Sequence, residues 1–309
     1  MKKKIFDIIS ALFVISILAF IFIQLTPGDP AENYLRASHL PITDELLKQK
    51  REELGLNSPL IIQYLKWLKN VLLGNFGSSF LRKEPAIYLT FKALYATFQL
   101  TIFSTFLIIL ISLPIGILTA IKTGTWIDKL IISITTIFVS MPVFWLGFSL
   151  ILLFSVKLNW LPVSGRGGFL NFILPSITLA VPFIGQYIEF VKKSILENIQ
   201  NNLLENAILR GLKKRYIIFN YLLKGAWIPI LSGFSFTFVS ILTGSILVEE
   251  IFSWPGIGFL FTKAIQAGDV PLIQACIMLF GLLFIIATHF MNSILKYLDP
   301  RIKGEKNNG

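Results

Sequence analysis

The chain has 309 residues, of which 54% are hydrophobic and only 15% charged, and its mean hydropathy is +0.72. Soluble domains sit near a quarter charged, so this composition excludes an ordinary soluble domain and points to a membrane protein. A net charge of +11 would suggest nucleic acid in a soluble chain, but here the position of the charges accounts for it better.

Met1 and three lysines precede an apolar run from Ile5 to Leu25. That run exceeds a normal signal-peptide core, and TPGDP follows it instead of a small-residue cleavage site. The expected element is a retained first span over 1–25 with its N-terminus in the cytoplasm, with a secretory signal as the competing reading. Residues 26–95 form the extracytoplasmic segment. Thr43-Asp44-Glu45 opens a helix that runs to Leu54, with acids in its first turn and Gly55 at its end. Pro59 to Leu73 is a second amphipathic segment carrying Tyr64 and Trp67, aromatic types that suit a membrane interface and equally suit core packing. A third amphipathic run covers 84–98.

Five more apolar runs follow, at 98–121, 130–156, 172–190, 228–248 and 272–298. Each is long enough to cross a hydrocarbon core of roughly 30 Å. The five-helix core then spans 96–298, with a cytoplasmic loop over 191–227 and a cytoplasmic tail over 299–309. Pro114, Pro142, Pro175 and Pro182 fall inside or beside these runs, as membrane helices tolerate. Cys276, the sole cysteine, lies in the last run; it excludes a disulfide framework and a multi-cysteine metal site, and it reads as packing.

Lysine and arginine fix the orientation. Sixteen lie on the proposed inner side against three in the two short outer loops; the other nine fall in the first outer segment, which is too long to weigh heavily. Six spans with both termini inside is the expected topology. Within the spans, Glu189 and His289 are the notable ionisable groups. Two such groups, far apart in sequence, make a poor proton relay and read instead as snorkelling or helix–helix hydrogen bonding. That weakens a proton-coupled secondary transporter. A membrane-embedded enzyme fares no better, since HExxH, GxSxG and GxxxxGK motifs are all absent and no catalytic residue is assigned.

The polar stretch from Glu205 to Pro229 is the longest interruption of the hydrophobic second half. Ser194-Ile195-Leu196-Glu197 has the form of a capping box. Ile195, Ile199, Leu203 and Ala207 then recur at helical spacing, and Gly211 supplies a permissive ending before the basic cluster Lys213-Lys214-Arg215. Such an amphipathic helix either lies on the lipid surface or inserts into a partner's groove. Farther on, Trp254-Pro255-Gly256 fits a type II turn, with Pro presetting one dihedral and Gly accepting a positive one.

The stretch Glu205-Asn206-Ala207-x-x-x-Gly211 resembles the EAAxxxG loop of binding-protein-dependent ABC importer permeases. The likeness extends along nearly the whole chain and is closest to the dipeptide, oligopeptide and nickel branch. Asp29-Pro30, LGLNSPL at 54–60, Gln63-Tyr64 with Trp67, GNFG at 74–77, WLPVSG at 160–165, EEIFSWPGIG at 249–258, Asp269-Val270-Pro271 and LDPR at 298–301 carry it in order. Two departures stand out: Asn206 replaces the first Ala, and Tyr221-Leu222-Leu223-Lys224 stands where the wider class has IxLP. The resemblance implies an all-α polytopic membrane protein with six transmembrane helices in a type I ABC importer permease architecture. It also implies a second homologous permease, two cytoplasmic ATPase subunits that hold the ATP and magnesium, and an external solute-binding protein. No cofactor or metal site is expected in this chain. By the same resemblance Glu205, Asn206, Ala207, Gly211, Lys213, Lys214 and Arg215 would meet the ATPase, and Trp254, Pro255, Gly256 and Gly258 the binding protein. An ordinary re-entry turn between spans is the competing reading of the latter set. The cargo is left between nickel and peptides; the 29–44 segment looks slightly more like the nickel members.

Overall fold

The structure, a computed structural model, describes residues 2–25, 28–199, 210–211, 216 and 223–298. These form α1 (Lys2–Leu25), α2 (Pro30–Ala37), α3 (Asp44–Glu53), α4 (Leu60–Leu72), α5 (Ala86–Ile121) and α6 (Trp126–Ser140). Then come α7 (Val143–Leu150), which continues as a π-helical turn over Ile151–Lys157, α8 (Leu170–Ile199), α9 (Leu223–Ile251), α10 (Ile257–Ala267) and α11 (Val270–Leu298). Among the described residues five helices are long and apolar enough to cross a membrane, and a sixth span results if the bent pair α6 and α7 counts as one. Counted that way, the six spans expected from hydropathy are matched, one of them broken; otherwise five are.

The chain packs as two units, Met1–Thr97 with Ser253–Ile286, and Phe98–Phe252 with Ala287–Gly309. In the first unit, α2 arises because Asp29 accepts a hydrogen bond from the Ala31 amide at 2.9 Å and Pro30 occupies the first helical position, where its missing N–H costs nothing. The Asp29 carboxylate also takes the Arg51 guanidinium of α3 at 2.5 Å. Thr43 caps α3 through the Leu46 amide, as its position in the sequence indicates. The core gathers Ile23, Leu89, Ile257, Leu260, Leu272, Ile273 and Cys276. Cys276 is buried, with Thr90 3.8 Å away, so packing is its role. Asp269 is fully buried at the start of α11; its carboxylate accepts from Ser79 Oγ at 2.5 Å and from the Leu81 and Leu272 amides.

Three sequence expectations change here. Residues 84–98 and 98–121 are not two elements; from Ala86 a single helix runs through Pro114 to Ile121. No helix begins at Ser194, because α8 already runs through it and Ser194 is buried in its interior. A capping box needs an extended first residue, and nothing upstream interrupts the helix to provide one. The turn at Trp254 is not type II: Gly256 has φ −86° and serves as the extended N-cap of α10, while Ser253 takes the positive φ of 47°.

Candidate functional site: the α8 stem and the broken span

Helix α8 is the hub of the second unit, and its sequence permits close approach on several sides. Toward α6, Gly185 brings the backbones together: a Cβ there would lie 2.8 Å from the Thr135 carbonyl oxygen. One turn on, Thr135 Oγ1 donates to Glu189 Oε1 at 3.1 Å. Glu189 is thus engaged in a helix–helix hydrogen bond, as its lone position in an apolar run suggests. A further turn on, Lys192 Nζ meets Asp128 Oδ1 at 2.6 Å, and the second Asp128 oxygen accepts the Gly124 amide at 2.9 Å. The Asp128 and Lys192 side chains are 7% and 18% exposed, so this pair is largely withdrawn from solvent.

Toward α5, Ser112 Oγ donates to the Ile184 carbonyl at 3.3 Å, and a Cβ on Gly116 would fall 2.7 Å from the Val191 side chain. Toward α9, Tyr187 OH donates to the Ile230 carbonyl at 2.7 Å, and its ring stacks on Phe190 at 6.0 Å. The C-terminal half of α8 is thereby tied to three neighbours through specific contacts spaced about one turn apart. A displacement of its C-terminal end is carried to α6 with little slack, since packed interiors deform poorly.

The span that α6 begins does not continue straight. Trp126–Ser140 and Val143–Lys157 meet at 98°. Met141 is extended (φ −78°, ψ 124°), and Pro142, which lacks an N–H, stands at the N-cap of α7. Beyond it, Gly147 packs against Ile251 and Thr178, and the helix relaxes into π geometry over Ile151–Lys157. Hydropathy gave an unbroken span here. Pro142 and the preceding Ser140-Met141 were the available signal.

The residues assigned to ATPase contact are only partly placed. Glu205, Asn206, Ala207, Lys213, Lys214 and Arg215 lie outside the described residues. Gly211 is described; it is exposed and has φ +68°, the left-handed backbone for which glycine was expected there. Of the residues assigned to binding-protein docking, Trp254, Gly256 and Gly258 are buried in the first unit and Pro255 is exposed. Trp254 Nε1 donates to the Ala96 carbonyl at 3.0 Å and the Ile257 amide to Thr97 Oγ1 at 2.9 Å. The tryptophan therefore anchors the turn, and the surface it presents is Ser253 with Pro255. Among the described residues no three His, Cys, Asp or Glu side chains gather as metal ligands.

Two family profiles cover this sequence almost end to end. The binding-protein-dependent transport system inner membrane component matches residues 112–304, and its N-terminal companion matches residues 1–109. The chain belongs to this permease family. It is 31% identical to the probable peptide ABC transporter permease protein y4tP of Sinorhizobium fredii, over 97% of this chain and 98% of that one. It is 34% identical to the nickel import system permease protein NikB of Staphylococcus aureus, over 97% of this chain and 90% of the relative. In fold it is similar to the inward-facing MetNI methionine ABC transporter, with a TM-score of 0.56 and 20% identity over 69% of this chain and 97% of that one. An amino acid ABC transporter gives a TM-score of 0.54 at 17% identity, over 69% of this chain and 94% of that one.

The protein is a multi-pass inner-membrane permease subunit of an ABC importer with the type I fold, in a family of transport subunits and not of enzymes. As a permease of this family it works with an ATPase and a solute-binding protein.

Proposed function

We propose that this permease imports nickel, as a chelate, or peptides delivered by a solute-binding protein, with nickel the slightly favoured cargo. The observation that carries this reading is similarity along 97% of the chain to one permease named for nickel import and another named for peptides. A chelated metal travels with its own ligands, so the lack of clustered metal-binding side chains among the described residues suits either cargo.

In this reading both termini are cytoplasmic and the channel pairs the chain with a second, homologous permease. Two ATPase subunits hold ATP and magnesium, and this chain binds no cofactor. They engage Glu205, Asn206, Ala207, Gly211, Lys213, Lys214 and Arg215, and the exposed turn at Ser253 and Pro255 meets the binding protein. Closure of the ATPase pair on ATP pulls the loop, the loop moves α8, and α8 draws α6 with it through Gly185, Glu189 and Lys192. The bundle thereby shifts from inward-facing to outward-facing, and hydrolysis resets it. The loop acts by biasing a two-state element, which is what coupling at a distance requires.

The test is uptake of labelled nickel and of a labelled dipeptide in cells with and without the gene, together with a Gly211→Asp variant. Loss of nickel uptake alone establishes the metal cargo, and loss of dipeptide uptake alone the peptide one. No change in either sinks the cargo assignment. A Gly211→Asp protein that reaches the membrane and transports normally removes the coupling role of that loop.

A further inference from the structure

The break between α6 and α7 lies deep within the membrane. Residues Leu170–Glu197 of α8 form one candidate span, and Gly185 sits within two residues of its midpoint. Thr135 of α6 touches α8 at Gly185. Ser140 is one turn and a residue farther along α6, about 7–8 Å at ~1.5 Å per residue. The half-thickness of a hydrocarbon core is roughly 15 Å. The irregular backbone at Ser140-Met141-Pro142 is therefore at hydrocarbon depth whichever face is outside.

Such a break is costly in lipid. The last turn of α6 and the first turn of α7 each leave backbone groups without intrahelical partners, and hydrocarbon offers none. Non-helical backbone at this depth is tolerated where it is buried in protein or lines a water-filled cavity. Burial within this chain does not cover it: Ser140, Pro142, Phe144 and Trp145 are all exposed. Beside them lies an open groove of about 480 Å³ formed by Thr136, Ile137, Ser140, Met141, Pro142, Phe144 and Trp145.

We propose that this groove faces the aqueous path of the transported solute, and that the broken turn Ser140-Met141-Pro142 lines the path near its midpoint. The inference rests on the reading of the chain as an ABC importer permease and adds the surface its cargo passes. Most of the wall is apolar, from Ile137, Met141, Pro142, Phe144 and Trp145, with a few polar groups set among them. Thr136 and Ser140 supply hydroxyls, the α6 end supplies carbonyl acceptors, the α7 start supplies N–H donors, and the lining carries no fixed charge to trap cargo of one sign. Water or cargo then satisfies the freed backbone groups. The same break is the far end of the α6 segment tied to α8, so movement of the stem reaches the wall directly.

The test uses the assembled transporter in proteoliposomes with its ATPases and second permease. Cys276 is replaced by Ser, and single cysteines are placed at Thr136, Ser140 and Phe144. Each is exposed to a charged methanethiosulfonate reagent and, separately, to an apolar maleimide, with and without ATP and vanadate. The expected result is reaction with the charged reagent at Thr136→Cys and Ser140→Cys, at rates that change on vanadate trapping. Reaction with the apolar reagent alone means the groove faces lipid and overturns the inference. No reaction with either, or oxidative cross-linking of these cysteines to the second permease, places the groove in a protein interface and also overturns it. A Ser140→Trp protein should lose ATP-dependent uptake of whichever of nickel or dipeptide the wild type carries, while its ATPase activity persists. If wild-type uptake proves independent of ATP, the importer reading fails, and the labelling pattern still reports separately on where the groove faces.

Discussion

The Asp128–Lys192 pair ties the stem of α8 to the start of α6, and its removal can be reasoned through in steps. Asp128→Asn keeps an oxygen to accept the Gly124 amide but deletes the charge that Lys192 faces at 2.6 Å. Breaking one partner of a buried pair costs about 3–5 kcal/mol, because the other charge is left uncompensated. Lys192 retains 18% exposure and a long stem, so it can reach toward the membrane edge, and we expect about 2–3 kcal/mol. Asp128→Ala also orphans the Gly124 amide and should lose about 0.5–1.5 kcal/mol more. The double variant Asp128→Asn with Lys192→Met removes both charges, and should recover most of the loss, since apolar replacement of a buried pair is near neutral. The assay is reversible denaturation of the detergent-solubilised protein, read as a double-mutant cycle. Wild-type stability in Asp128→Asn, or a double variant no better than the single, would refute the reasoning.

Gly185→Ala forces a methyl group to within 2.8 Å of the Thr135 carbonyl oxygen and 2.9 Å of Val139. A backbone oxygen cannot rotate aside, so we expect about 1–3 kcal/mol of destabilisation and slowed uptake, whereas Gly168→Ala, with open space around it, should be silent. Equal melting temperatures for the two variants would show that α6 yields easily. Tyr34 offers a pH prediction outside the spans. Burial alone would raise its phenol, but Lys83 and Lys50, each 4.2 Å from the ring centroid, outweigh that with help from Ser38 and hold it below the usual value. A depressed folded pKa contributes stability only above the unfolded value of about 10, and that contribution is gone as pH falls through the folded value. Tyr34→Phe should therefore lose stability relative to wild type at strongly alkaline pH, with no such widening near neutrality. A difference between the two that does not grow with pH would contradict this.

The amino-acid sequence by itself determined the membrane class, the six apolar spans and the family, because hydrophobic runs and ordered motifs are local properties. It also determined the helix that opens at Thr43-Asp44-Glu45 and the Gly211 backbone, which depend on residues a few positions apart. The α2 helix is legible too, since Asp29-Pro30 is a cap followed by a first-turn proline. Only the tertiary structure decided what the prolines do. Pro114, Pro175, Pro182 and Pro229 sit inside helices that continue, whereas Pro142 sits in a 98° break. Whether a helix survives proline depends on whether neighbours satisfy the freed backbone groups, and that is set by packing. The same holds for Ser194, whose capping box is cancelled by the helix running into it, and for Trp254, whose indole is drawn inward by the Ala96 carbonyl 158 residues away. Asp128 and Lys192, 64 residues apart, are likewise two unremarkable charges until α6 and α8 are laid side by side. Long-range pairs of this kind leave no spacing to read, because the turns and helices that join them decide which residues meet.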